Sequence, residues 1–215
     1  MKNILLAVII ILTGCHQENV VTPSKPTTYY KELSIELVNI PLTKIMPTTL
    51  EKFKKQLVEY HIAENVTFIR HTNTNTQYCT TIWDPSLLNL FETKTRRIYS
   101  TDPRNPTIYI AHLPGIYLLP TYYSIAGMVN GNNSIVIFDR GYSEELLVNI
   151  LLHEVCHLVD FVNLQERDES PVNPERPSHC NNPDCVMFWI APIHAAKLDD
   201  ACLKQLAAKI VSVQN

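Results

Sequence analysis

Ser143-Glu-Glu-Leu-Leu-Val-Asn-Ile-Leu-Leu-His153-Glu154-Val155-Cys156-His157 is the stretch whose reading decides the fold. Ser143 has the short polar side chain that caps helix N-termini, and Glu144 and Glu145 follow in the first turn, where negative charge is favoured. Leu146, Leu147, Ile150 and Leu151 recur at helical spacing, and Gly141-Tyr142 ahead of them suits a turn. The stretch predicts an amphipathic helix with His-Glu-x-x-His in its later turns. Residues four apart share a helix face, so His153 and His157 point the same way. Two imidazoles so placed hold one Zn²⁺ at about 2.0–2.1 Å per bond. Glu154 lies on the adjoining flank, where a carboxylate can take a proton from an activated water. The competing reading is a surface helix with two histidines and no metal. Helix context and a third ligand decide between the two.

A third ligand is offered downstream. Ser178-His179-Cys180-Asn-Asn-Pro-Asp-Cys185-Val186-Met187 supplies an imidazole, two thiols and a methionine within ten residues. With these residues the chain resembles the archaemetzincins, whose pattern is HExxHxxGxxH-C-x4-C-x-M followed later by Cys-x-x-Cys. The resemblance implies a zinc metalloprotease in which His153, His157 and His179 ligate the catalytic metal. It also implies that Met187 lies in a turn beneath the metal, in a packing role. Where the family has glycine and its third histidine, three and six residues past the second, this chain has Asp160 and Asn163. Residues 164–177 form a polar, proline-rich insertion that reads as a surface loop returning the chain to His179. Asp160 competes for the third position, because it shares the histidine face if the helix continues; there it would ligate zinc or orient an imidazole.

Six cysteines occur: Cys15, Cys79, Cys156, Cys180, Cys185 and Cys202. In archaemetzincins four cysteines hold a second, structural zinc. By that resemblance Cys180, Cys185 and Cys202 match three of the four, and Asp199 stands where the family has the last cysteine. A carboxylate oxygen is an acceptable zinc ligand. Two rival readings stay open: a disulfide among Cys79, Cys180, Cys185 and Cys202, since exported chains meet oxidising surroundings, or free thiols. Cys156 reads as a small buried helix residue.

The export reading comes from the amino terminus. Met1-Lys2-Asn3 is a short positive start, residues 4–12 are apolar, and Leu12-Thr13-Gly14-Cys15 is similar to a bacterial lipobox. The apolar run is too short for a membrane span and suits a signal sequence. The expected organisation is a signal peptide over residues 1–14, a tether over 15–30 carrying lipid on Cys15, and a catalytic domain over 31–215. A plain secretory signal with an incidental cysteine is the alternative. Lipidation predicts a membrane-anchored protein on the periplasmic or cell-surface side. Gln17 is not the aspartate that marks inner-membrane retention, which points to the outer membrane where one exists.

A net charge of −3 with dispersed basic residues gives no electrostatic case for nucleic acid. About 200 mature residues suffice for one domain with a full core. Strands are predicted over residues 34–40, 66–70 and 107–111, and helices over 47–59 and 85–91. A tight hairpin is predicted from residues 122–129 and 134–138 around Asn130-Gly131, then the HExxH helix and a closing helix over 198–211. This order predicts an α/β (α+β) sandwich: a mixed, twisted sheet with one antiparallel edge strand, packed by the motif helix. The metzincins, whose zincin fold the resemblance implies, share that architecture. By analogy with them, residues 124–129 would pair with an extended peptide or protein substrate.

The expected activity is zinc-dependent hydrolysis of peptide bonds with Glu154 as general base; Tyr122, Tyr123 and Tyr142 are the nearby candidates for stabilising an oxyanion. The alternatives are a zinc-bound surface lipoprotein with little catalysis, a binding module whose HExxH is incidental, and hydrolysis of a non-peptide amide by the same site.

Overall fold

The computed structural model describes residues 28–75, 78–79, 82–100, 102–117, 125–131, 133–159, 172–173, 176–188, 190–194 and 196–212. The expected signal peptide, Cys15 and most of the tether lie outside them, as do Asp160, Tyr122 and Tyr123. Among the described residues, no helix is long and apolar enough to cross a membrane.

The main sheet has five strands: β1 (Tyr30–Asn39), β2 (Ala63–Thr72), β4 (Thr107–Pro114), β6 (Gly127–Val129) and β7 (Ser134–Asp139), in the order β2-β1-β4-β7-β6. The pairs β2–β1, β1–β4 and β4–β7 are parallel. Only β6 runs antiparallel, paired to β7 at the sheet edge. This is the mixed sheet with one antiparallel edge that the order of elements predicted. Two short pairs lie outside it: β3 (Ile82–Trp83) with β5 (Ile116–Tyr117), and β8 (Val172–Asn173) with β9 (Arg176–Cys180).

The central strands are apolar on both sides, and each side has its own core. Ile35, Leu37, Ile108, Ile110, Ile135 and Ile137 face α1 (Pro47–Glu59), α3 (Glu144–Leu158) and α4 (Asp200–Ser212). Val38, Tyr109, Ala111, Val136 and Phe138 face the other way, toward Trp83 and α2 (Pro85–Thr95). Strands covered on both faces read as near-continuous hydrophobic runs, which is why 107–111 and 134–138 stood out in the sequence.

Several boundaries differ from the sequence-based expectation. Helix α1 matches it at both ends, with proline at its start. Strands β1, β2 and β4 are longer than expected because pairing to a neighbour carries them into residues such as Glu32, Asn65 and Pro114 that have no strand pattern of their own. The β6–β7 connection is the four residues 130–133 around the expected Asn130-Gly131: Asn130 N donates to Ser134 O (2.8 Å), and Gly131 and Asn133 take φ of +72° and +58°. Glycine and asparagine are the residues that accept this left-handed backbone. Of the predicted insertion, residues 172–173 form β8 and residues 176–177 open β9, which pair antiparallel.

Candidate metal centre

Helix α3 begins as its sequence dictates. The Ser143 hydroxyl accepts from Leu146 N (3.2 Å), with Glu144 and Glu145 in the first turn. Leu147, Ile150, Leu151 and Val155 sink into the core, which places His153 and His157 on the flank turned toward residues 179–187. Strand β9 delivers His179 to the same place.

The three imidazoles converge, with ring nitrogens within 4.8 Å of one another. Ring centroids are 4.6 Å apart for His153–His157, 5.1 Å for His153–His179 and 5.0 Å for His157–His179. His153 Nδ1 lies 2.8 Å from the Val186 carbonyl. A carbonyl only accepts, so Nδ1 carries the proton and Nε2 presents its lone pair. That Nε2 lies 3.0 Å from His157 Nε2. Burial pushes the His153 imidazole down to about 4, partly offset by the Val186 bond. Burial and the neighbouring histidines push His157 down to about 3. Neutral imidazoles aimed at one point are the donor set that zinc takes, so the residues fit the metal that HExxH implies.

Glu154 is only 6 % exposed, and burial pushes its carboxyl up to about 8. It packs against the edge strand at Gly127: a Cβ built there would lie 2.9 Å from Glu154 Oε1 and 3.0 Å from Ile150 Cγ2. Gly127 lacks the positive φ of Gly115, Gly131 and Gly141, so close approach is the constraint at this position. Tyr142 precedes α3 and packs, half-buried, against the core. Asp160, the rival to His179, lies outside the described residues.

A second group forms on the same segment. Cys180 Sγ, Cys185 Sγ, an Asp199 oxygen and Cys202 Sγ also lie within 4.8 Å of one another. Backbone N–H groups aim at the sulfurs: Asn182 N to Cys180 (3.4 Å), and Met187 N (3.4 Å) and Asp199 N (3.5 Å) to Cys185. At Cys185 such donors favour thiolate, the form that binds metal. The Cys180 and Cys202 thiols, then these backbone donors, hold Cys185 down to about 4. Asp199 divides its oxygens: Oδ1 accepts from Cys202 N (2.8 Å) at the start of α4, while Oδ2 accepts from Cys180 Sγ (3.2 Å) and Asn182 Nδ2 (3.2 Å). Three thiols and a carboxylate fit a structural zinc. Cys185 and Cys202 sulfurs are 3.7 Å apart, and the described cysteines are unbridged. Cys79 packs on the opposite face of the sheet and takes no part, and Cys156 is buried in α3, as expected of a small helix residue.

Three contributors carried no signal in the sequence. Besides Gly127, Val186 supplies only a carbonyl. Asn149, one turn before His153, is buried and donates to Pro192 O (2.8 Å) and His194 O (2.7 Å), tying the following loop to α3. Met187 is fully buried directly after Val186, in the turn against His153.

No protein-family model matches the chain, and no curated protein resembles it in sequence. Solved structures do match. Archaemetzincin from Methanopyrus kandleri aligns at a TM-score of 0.55 and 13 % identity, over 84 % of this chain and 96 % of that one. Metalloproteinase-II from Bacteroides fragilis aligns at 0.50 and 12 %, over 87 % of this chain and 55 % of that one, so the chain spans about half of that protein. Archaemetzincin from Archaeoglobus fulgidus, complexed with malonate, aligns at 0.47 and 12 %, over 80 % and 99 %. The chain has the archaemetzincin fold.

Proposed function

We propose that the chain is a zinc metallopeptidase, with His153, His157 and His179 holding the metal and Glu154 as general base. The observation that carries this reading is the convergence of three imidazoles beside a buried carboxyl group, on the fold seen in archaemetzincin. When bound, zinc supplies Lewis-acid polarisation of the scissile carbonyl and lowers the pKa of a water molecule. The chain's own residues do the rest. The Val186 carbonyl fixes the His153 tautomer and ring orientation. Glu154 takes the water's proton, and its burial favours holding that proton until the leaving amine accepts it. A cation nearby would draw the carboxyl back toward the range of a working base. A peptide or protein substrate would lie extended along β6, adding to the sheet by main-chain bonds.

The same proposal includes a structural zinc on Cys180, Cys185, Asp199 and Cys202. It includes a lipid on Cys15 that anchors the domain to a membrane on the periplasmic or cell-surface side. Metabolic labelling with a fatty acid, lost in Cys15→Ser, tests the anchor.

Glu154→Gln tests the activity. The variant should retain its zinc and lose hydrolysis of a mixed peptide library. Unchanged hydrolysis would sink the peptidase reading. One observation favours a second reading, a zinc-binding lipoprotein with little catalysis: Glu154 is buried and packed tightly against Gly127. On that reading the wild type takes up zinc and cleaves no peptide.

A further inference from the structure

The two ligand groups are joined by single peptide units. His179 is followed directly by Cys180. Val186, whose carbonyl fixes His153, directly follows Cys185. The short segment between them is closed on itself: Cys180 N donates to Met187 O (2.8 Å), and Met187 N donates to Cys185 Sγ (3.4 Å). Val186 N donates to Lys197 O (3.0 Å), which ties the segment to the chain that leads into Asp199. Asp199 then reaches back to Cys180 Sγ and caps Cys202 N. Adjacent Cα atoms are fixed about 3.8 Å apart, so a sulfur cannot shift far without carrying its neighbouring residue.

We infer that Asp199 is a positioning residue: by closing the thiolate site it fixes the Val186 carbonyl and His179, so that a metal in the cysteine–aspartate site raises the affinity of the histidine site. This rests on the reading of the three histidines as a zinc site. The relation is thermodynamic coupling, and it is reciprocal. Asp199 is the informative position because one oxygen serves the helix and the other serves the sulfurs. Asparagine there keeps a cap acceptor and removes the anionic ligand.

The test is a Co²⁺ titration of the metal-free full chain, wild type against Asp199→Asn and Asp199→Cys. Thiolate-to-cobalt charge transfer reports one site, and the d–d absorption of a nitrogen-ligated ion reports the other. The wild type should show both. Asp199→Asn should lose the charge-transfer signal, and its affinity at the histidine site should fall roughly 5–150-fold. Asp199→Cys should recover both. The inference is overturned if Asp199→Asn loses the thiolate signal with the histidine-site affinity unchanged, or if it keeps the thiolate signal intact. If Asp199→Asn does not fold by circular dichroism, His157→Asn replaces it: reciprocity demands an equal weakening of the thiolate site, and an unchanged thiolate affinity overturns the inference. A wild type that fills the thiolate site and never the histidine site instead removes the peptidase reading, and the inference with it.

Discussion

Gly127 on β6 leaves the space that Glu154 occupies: a Cβ there would come within 2.9 Å of Oε1 and 3.0 Å of Cγ. The edge strand and the candidate general base therefore fit only if that residue has no side chain. Gly127→Ala must push the carboxylate or the strand aside. Small misplacements of a reacting group cost on the order of 10²-fold in rate. The expected result is a loss of that order in kcat/KM with zinc content unchanged. Full activity in the variant would show that the contact relaxes without consequence.

Asn149→Leu keeps the bulk and removes the amide that serves Pro192 O and His194 O. Each buried carbonyl left without a partner costs about 1–3 kcal/mol. Urea unfolding should show the variant clearly less stable than the wild type. An unchanged midpoint would mean that water replaces the amide.

Metal removal should change thiol reactivity in a defined order. With zinc bound, alkylation by iodoacetamide should reach the half-buried Cys79 and spare Cys180, Cys185 and Cys202. After chelation those three should be labelled as well, read site by site by peptide mass mapping. Equal labelling before and after chelation would argue that no metal protects them.

The metal-stripped chain should gain stability with pH up to about 6.5 and then hold it to about pH 8. Burial holds His153 down to about 4, His157 to about 3 and His112 to about 4, against an ordinary 6.5. Their stabilisation is present above 6.5 and is lost as pH falls toward the folded values. Glu154 is the opposite case, raised from 4.5 to about 8, so its contribution is lost as pH rises through that range. From 4.5 to 6.5 the three histidines and the Cys185 thiol oppose one carboxyl, and stability climbs with pH. Above 6.5 the loss at the Glu154 carboxyl is offset by the Cys185 thiol, held down to about 4 against an ordinary 9, and stability levels off. Each unbalanced proton is worth up to about 1.4 kcal/mol per pH unit. Urea unfolding in chelator across this range checks it, and a stability that keeps rising beyond pH 6.5 would contradict the assignment of Glu154.

Much of the site was legible because its determinants are local. Ser143, the apolar spacing and the four-residue interval between His153 and His157 act within one helix, so the sequence alone determined the helix, its cap and the shared histidine face. Continuous apolar runs likewise announced the central strands, and Asn130-Gly131 the hairpin. What remained open was long-range. Whether His179 returns to α3 depends on β9 pairing with β8 and on the bond from His153 to Val186, neither of which has a one-dimensional signature. The gathering of Asp199 with three cysteines follows from where α4 docks, and resemblance alone had suggested it. Gly127 and Asn149 are ordinary residues in the chain. They acquire their roles only when a strand edge meets a carboxylate and a helix meets a loop, because close approach and hydrogen-bond satisfaction are properties of packed surfaces and not of composition.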